Sequence, residues 1–169
     1  LWSANSTTGD INDNPVVKTV YDPCPAGFKL PASNAFTGFT TTGNNAVMQS
    51  QFNINGGWDH GWNFNNKISS PNATVYFPAS GYRDNGSGLL GNVGPFGFYW
   101  SAVPFATDLG CYMIFYQFGI TLEYGVVRAY GYSVRPVAEP KTKVTPKLPG
   151  STEEGWEDGG DLDGGEYEL

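Results

Sequence analysis

The sequence predicts a single α+β domain with one short helix, much ordered loop and an antiparallel meander of strands, followed by an acidic C-terminal tail. Its 169 residues are enough for one main core and too few for two large domains. Charged residues make up only 15% of the chain, so the surface must be built largely from Asn, Ser, Thr, Gly and Tyr. Short β-branched and aromatic runs separated by glycine follow residue 74 and are typical of strands.

The negative charge belongs to the end of the chain. Residues 1–137 contain six Lys or Arg and seven Asp or Glu (net −1), whereas residues 138–169 contain three and nine (net −6). A nearly neutral body lacks the basic patch that nucleic acid or an anionic membrane requires. No apolar run approaches the roughly 18 residues that span a bilayer. We therefore expect no nucleic acid partner and no membrane insertion.

The first half of the chain predicts few regular elements. Residues 16–21 carry β-branched residues and predict an opening strand, and the prolines on both sides of Cys24 keep the next segment extended. Residues 32–39 are the one fair helix candidate, with Ser33 as its N-cap. From residue 40 to 72 the chain is rich in Asn, Gly and aromatics without helical periodicity, which predicts ordered loops pinned by Trp58, Trp62 and Phe64.

The second half of the chain predicts an antiparallel meander. Strands are expected at 74–78, at 81–83 before an Asn-Gly turn, at 96–101, and at 111–118, 120–124 and 130–137. Residues 139–169 then change to a Pro/Lys segment and an acidic, Gly-rich segment that lacks the apolar content for a core. The domain is thus placed at 1–138 and the tail at 139–169, with Trp156 and Tyr167 as its candidate anchors. Because the chain begins at Leu1 without Met or a signal peptide, we interpret it as a processed or excised fragment.

No constellation for catalysis or metal binding stands out. His60 is the sole histidine and has no nucleophile-elbow pattern nearby, and the acidic tail lacks the order of an EF-hand calcium loop. Cys24 and Cys111 form either one disulfide or two buried thiols. We therefore predict a protein that is not an enzyme, with no catalytic residue, no metal and no cofactor. A carbohydrate-active enzyme using Asp59 or Asp108 is the weakest alternative.

The segment from Phe105 to Tyr132 is aromatic and weakly charged. Alternation along a strand at 111–116 places Met113 and Phe115 on one face and Tyr112, Ile114 and Tyr116 on the other. One face then belongs to the core while the other shows tyrosine, a residue that binding surfaces favour. An ordinary sheet with an aromatic outer face is the alternative. Arg128 and Arg135 are expected to brace the scaffold by stacking and by hydrogen bonds to carbonyls.

Four strings of the sequence resemble one known family. DPCPAGFKLP at 22–31, FPASGYR at 77–83, YWS at 99–101 and RAYGYSVRPV at 128–137 are similar, in order, to the conserved strings of the Fibrobacter succinogenes major paralogous domain. The resemblance covers roughly residues 16–138 and is specific because four strings occur in family order. It implies a C-type-lectin-like fold, which has short helices, much irregular loop and a twisted antiparallel sheet near the C-terminal end.

The resemblance also implies a place and a role. Members are typically exported or cell-surface modules of gut-type bacteria, often joined to adhesin or fimbrial domains. A related group, the variable proteins of diversity-generating retroelements, carries its ligand-contacting positions between the last two strings, here residues 102–132. The chain departs from the family in having Pro136 where many relatives have a second cysteine, which leaves Cys24 with Cys111 or with no partner. The calcium-binding strings of animal C-type lectins and the reactive cysteine pair of formylglycine-generating oxidases are absent.

The sequence thus predicts a non-enzymatic, extracellular or cell-surface binding and adhesion module. Its ligand is a protein or a glycan, and the residues expected to contact it are Phe105, Asp108, Tyr112, Tyr116, Gln117, Glu123, Tyr124, Tyr130 and Tyr132. Cys24, Trp100, Arg128 and Arg135 are assigned to the scaffold. The alternative is a structural module that assembles with itself or with a neighbouring surface subunit through the sheet face or the acidic tail.

Overall fold

The computed structural model of this chain describes residues 2–5 and 14–140. The acidic tail, with Trp156 and Tyr167, lies outside the described residues. Within them the chain is mostly β, and its helical turns are two 3₁₀ helices at Ser33–Phe39 and Gln49–Gln51. The strands are β1 (Phe28–Lys29), β2 (Ile54–Asn55), β3 (Gly61–Asn65), β4 (Thr74–Pro78), β5 (Tyr82–Arg83), β6 (Leu90–Gly91), β7 (Phe96–Ala106), β8 (Leu109–Tyr116), β9 (Gly119–Val127) and β10 (Val137–Ala138).

The described strands form several small antiparallel sheets. The largest is the meander β7-β8-β9, which confirms the predicted antiparallel arrangement after residue 74. A second three-stranded sheet has the order β2-β3-β4, and two-stranded sheets join β5 to β6 and β1 to β10. The β1–β10 pair, in which Phe28 lies opposite Ala138, brings the two ends of the resemblance region together.

The meander has an apolar cluster on each face. Alternation along β7 and β8 sends Tyr99, Met113 and Phe115 to one face and Phe98, Trp100 and Tyr112 to the other. The first cluster also contains Phe36, Phe52, Trp62, Phe64, Phe77, Ile120 and Leu122. The second contains Val16, Cys24, Leu30 and Ala102. Each buried large side chain stabilises the fold by about 1.5–3 kcal/mol, so the meander is held from both sides.

Two predicted strands are wrong or incomplete. Residues 16–21 are not a strand, because only Lys18 forms a bridge, to Ser3, and Val20 is almost fully exposed. The ammonium group of Lys18 instead donates to the carbonyls of Cys24, Pro25 and Phe28, which draws the segment into a loop. At 130–137 the structure has isolated bridges and then β10 at Val137–Ala138.

The helix and the Asn-rich segment also differ from prediction. The helix at Ser33–Phe39 is 3₁₀, its N-cap is Ala32, and Ser33 is a buried residue of the helix. Within residues 40–72 the chain forms β2 and β3 rather than loops alone. Trp62 and Phe64 are buried from β3 and Trp58 packs against them, so the predicted anchoring by these aromatics is confirmed.

The four strings of the resemblance meet around β7. Asp22 is buried, and its carboxylate accepts the backbone N–H of Cys24 (2.8 Å) and of Leu30 (3.0 Å). The next residue, Pro31, accepts the N–H of Ala102 on β7 at 2.7 Å. The first string is therefore a closed loop fastened to the central sheet.

The second and last strings are fastened to each other. The hydroxyl groups of Ser80 and Ser133 lie 2.7 Å apart, and the Tyr99 hydroxyl donates to the carbonyl of Pro78 at 2.7 Å. The guanidinium carbon of Arg135 lies 5.1 Å from the centroid of the Phe77 ring, which is the stacking expected of that arginine. These strings belong to the scaffold.

No helix among the described residues is long and apolar enough to cross a membrane.

Candidate functional site

An unbroken series of aromatic rings crosses the second face of the meander. We call it the aromatic strip. Neighbouring ring centroids are 4.7–6.4 Å apart, within the range of favourable aromatic pairs. In spatial order the rings are those of Tyr116, Phe96, Phe98, Tyr132, Tyr112, Tyr124 and Phe105, with the shortest step, 4.7 Å, between Tyr132 and Tyr112.

Two further tyrosines widen the strip. The Tyr82 ring on β5 lies 5.5 Å from Tyr130 and 6.1 Å from Tyr132. Tyr130 and Tyr132 are themselves 5.5 Å apart. A strand, a loop and the meander therefore contribute tyrosines to one surface. Tyr82 and Phe96 were missed in the sequence, although alternation with Phe98 and Trp100 places Phe96 on this face.

The strip is buried in its middle and exposed at its two ends, which we call its open ends. Tyr112 is only 6% exposed, whereas Tyr116 is 38% and Tyr124 is 56% exposed. The expectation that Tyr112 lies on an exposed face is therefore wrong. The sheet face on which it lies is covered by the second cluster, to which residues far along the chain, including Tyr132 and Trp2, contribute. Tyr130 and Tyr132 are half-buried.

The tyrosine hydroxyl groups fall into two classes. Those of Tyr112 and Tyr132 belong to rings whose centroids lie 4.7 Å apart, and burial raises the pKa of both groups. The hydroxyls of Tyr82, Tyr116, Tyr124 and Tyr130 make no hydrogen bond with any other described residue. These four polar groups are free to pair with a ligand.

Three of the predicted contact residues lie away from the strip. Asp108 is exposed in the turn between β7 and β8. Gln117 is exposed in the turn between β8 and β9, where its carbonyl accepts the side-chain amide of Gln49 at 3.0 Å. Glu123 lies on the other side of β9 from Tyr124 and lines a separate cavity. Phe105, Tyr116, Tyr124, Tyr130 and Tyr132 are brought together, with Tyr112 beneath them.

A small cleft adjoins the strip. It has a volume of about 260 Å³ and is lined by Trp2, Ala102, Val103, Pro104, Gly110 and Arg128. The Trp2 ring packs edge-on against Trp100 at 5.8 Å. Arg128 donates to the carbonyl of Ala106 at 3.2 Å, the contact expected of a bracing arginine. Trp100 is buried, in keeping with its assignment to the scaffold.

The residues considered for catalysis, Cys24, Cys111 and His60, take part in the packing and hydrogen bonding of the fold. Cys24 and Cys111 are buried and unpaired, and burial raises their pKa values to about 12 and about 11. His60 adopts a positive φ of 50° in a loop, and its carbonyl accepts the N–H of Ala79 at 2.7 Å. Among the described residues, no group of three or more His, Cys, Asp or Glu is arranged to hold a metal ion.

The chain was compared with family models, with curated proteins and with solved structures. None of them matches.

Proposed function

We propose that this chain is a non-enzymatic binding module that takes a protein or glycan ligand on the open ends of the aromatic strip. The observation that carries the proposal is the exposure of Tyr116 and Tyr124 at these ends, on a surface with few charges. Their hydroxyls, like those of Tyr82 and Tyr130 beside the strip, pair with no other described residue. Tyrosine offers a large amphipathic contact area at low entropic cost. Its free hydroxyl groups supply the hydrogen bonds that fix a ligand's orientation.

The scaffold supports the family part of the proposal. A C-type-lectin-like module has short helices, irregular loops and an antiparallel sheet near its C-terminal end, and 3₁₀ helices, loops and the β7–β9 meander are of that kind. The four strings that carry the resemblance lie in buried contacts around β7, while the exposed tyrosines come from between or beside them. We extend the proposal to an exported, cell-surface location in a bacterium, as the resemblance implies.

The test distinguishes a role of the open ends in ligand binding from a role in folding. The purified chain is screened on a glycan array and against a displayed peptide library, and the hits are measured with the double variant Y116A/Y124A. We expect at least a ten-fold loss of affinity, with a thermal midpoint lowered by no more than a few degrees. The matched control is Tyr21→Ala, which removes an exposed tyrosine far along the sequence from these two. Equal binding by the double variant and the wild type would refute the assignment.

A structural or assembly module is the second candidate. Val47, Met48 and Phe118 are exposed. Backbone hydrogen bonds between Ala46 and Ile120 hold the first two residues beside the β8–β9 turn that carries Phe118. An exposed apolar group of this kind marks an interaction surface. Sedimentation of V47S/M48S/F118S, and separately of a chain lacking residues 139–169, tests it: association that is lost in either variant, while ligand binding persists, favours assembly.

A further inference from the structure

A polar cavity on the side of β9 away from Tyr124 forms a second surface feature. Its volume is about 350 Å³, within the usual range of small-ligand sites. It lies between the first 3₁₀ helix, the loop at 43–45 and β9. Its lining consists of three amides, one hydroxyl, one carboxylate, a glycine and one buried aliphatic side chain: Asn34, Asn44, Asn45, Thr37, Glu123, Gly43 and Leu122. We call it the Glu123 cavity.

A bulge in β9 places the carboxylate there. Tyr112 pairs with Tyr124 and Ile114 pairs with Thr121, so Leu122 and Glu123 together stand opposite the single residue Met113. Such a bulge re-aims a side chain relative to simple alternation. Glu123 thus joins Leu122 in lining the cavity. The backbone is locked at this point, because the N–H of Leu122 donates to the Asn45 side-chain oxygen at 2.9 Å.

The carboxylate of Glu123 has no protein counter-charge. It is half-buried, and it forms no hydrogen bond or ion pair with any other described residue. No Lys or Arg lines the cavity. Burial is the main cause that raises the pKa of the neighbouring Cys111 thiol, and the negative charge of Glu123 raises it further. A carboxylate that lines a cavity without a protein counter-charge favours a cation.

Two of the other polar groups of the cavity present free oxygen acceptors. The hydroxyl of Thr37 donates to the Asn34 carbonyl, so its remaining capacity is that of an acceptor. The side-chain nitrogen of Asn44 donates to the Thr42 carbonyl, which leaves its oxygen without a protein partner among the described residues. The amides of Asn34 and Asn45 also offer N–H donors, because the Asn45 oxygen is already occupied by the N–H of Leu122. The one negative charge and the free oxygens match a ligand with one positive charge and several donors.

We propose that the Glu123 cavity binds a primary alkylammonium group, presented by a lysine side chain or by an amino sugar. Such a group carries three N–H donors and one positive charge, and it forms charge-assisted hydrogen bonds with a carboxylate. The site takes one carboxylate and neutral oxygens, which is less negative charge than a tight calcium site usually provides. This site is separate from the aromatic strip and does not depend on the function proposed for it.

The test uses backbone amide chemical shifts of the full chain. Nα-acetyl-lysine amide and glucosamine are titrated as the two sources of the ammonium group. Their Nε-acetylated and N-acetylated forms, which lack the charge, serve as paired controls, and calcium chloride is titrated separately. We expect an amine to shift the amide signals of Asn34, Asn44 and Glu123. Its dissociation constant should be at least ten-fold lower than that of its acetylated form. The stronger of the two amines identifies the source.

Variants assign the effect to the cavity. Glu123→Gln preserves shape and removes the charge, and it should weaken amine binding about ten-fold or more. Glu139→Gln makes the same change on the half-buried carboxylate after β10 and should leave binding unchanged. Y116A/Y124A should bind the amine as the wild type does. A negative result for ligand binding at the strip can therefore be distinguished from a negative result for amine binding in the cavity. Equal binding by wild type and Glu123→Gln, no shifts with either amine, or shifts with calcium alone would overturn the proposal.

Discussion

The carboxylate of Asp22 reaches the backbone N–H of Leu30, eight residues later, at a distance of 3.0 Å. Its other oxygen accepts the N–H of Cys24 at 2.8 Å. Both Asp22 and Leu30 are buried. One side chain therefore accepts hydrogen bonds from two buried main-chain N–H groups. In a helix such groups would pair with main-chain carbonyls, but the prolines of this loop prevent a helix. The loop is held shut by this residue rather than by a disulfide.

Asp22→Ala should open this loop. Both N–H groups would lose their partner while still buried, and each unsatisfied donor costs about 1–3 kcal/mol. We expect the free energy of unfolding in urea to fall by about 2–5 kcal/mol. Asp108→Ala, at an exposed turn, should change it by less than about 0.5 kcal/mol. Similar losses for the two variants would contradict the role given to Asp22.

Gly81→Ala should destabilise the protein far more than Gly88→Ala. Both glycines have nearly the same left-handed φ, 66° and 67°, so the conformational cost of a side chain is alike. A Cβ at Gly81 would overlap the carbonyl oxygen of Gly91, whereas at Gly88 nothing lies within 4 Å. We expect about 1–2 kcal/mol for Gly88→Ala and several kcal/mol, or no soluble protein, for Gly81→Ala. Matched urea titrations measure the difference.

Tyr112 and Tyr124 face each other across β8 and β9 and should respond differently to truncation. Tyr112→Ala removes a buried ring from the second cluster and should cost about 3–5 kcal/mol of unfolding free energy. Tyr124→Ala removes a mostly exposed ring and should cost about 1 kcal/mol or less. Ligand affinity should show the opposite order once folding is allowed for. A large stability loss in Tyr124→Ala would show that the open end of the strip is structural.

The two cysteines should be unreactive in the native protein. Burial raises the pKa of Cys24 to about 12 and of Cys111 to about 11, so the thiolate that reacts with disulfide reagents is scarce at pH 8. We expect no fast reaction with dithionitrobenzoate at pH 8, and two equivalents of thiol after unfolding in denaturant without reductant. Fewer than two equivalents in the unfolded chain would reveal a disulfide.

Stability should fall in alkaline solution. The pKa values of both thiols and of Tyr99, which burial raises to about 12, exceed their values in the unfolded chain. Between the unfolded and folded pKa values the unfolded chain binds fewer protons, so the unfolding free energy decreases as the pH rises, from about pH 9 to 12. Below about pH 8 these groups are protonated in both states and contribute no slope. The Cys24→Ala/Cys111→Ala variant should show a shallower decline by urea titration, and an unchanged slope would assign the effect to tyrosines alone.

The sequence was most informative where aromatic and β-branched residues form runs. β7 and β8 were predicted from such runs at 96–101 and 111–118, and strand alternation within 111–116 assigned Met113 and Phe115 to the core face. β3 was missed because Trp62 and Phe64 are set among Asn and Gly, which are weak strand formers. Their burial comes from packing against β4 and the meander.

The candidate site was only partly predictable for the same reason. A strand pattern shows which residues share a face, but the cover over that face comes from distant segments. Tyr132 packs on Tyr112, and Trp2 packs on Trp100 in the same cluster, so Tyr112 is buried. The bulge opposite Met113 is likewise set by pairing with β8, and this pairing carries Glu123 into its own cavity. Neither effect leaves a local mark in the sequence.

The burial pattern of residues 102–132 defines how a combinatorial library on this scaffold should be designed. Apart from Gly131, the exposed positions fall in three short groups: Thr107 and Asp108; Tyr116, Gln117 and Phe118; and Tyr124, Val127, Arg128 and Ala129. The buried positions between them, such as Met113, hold both clusters to the sheet. Randomising only the exposed groups should therefore yield mostly folded clones, whereas randomising the whole segment should yield few.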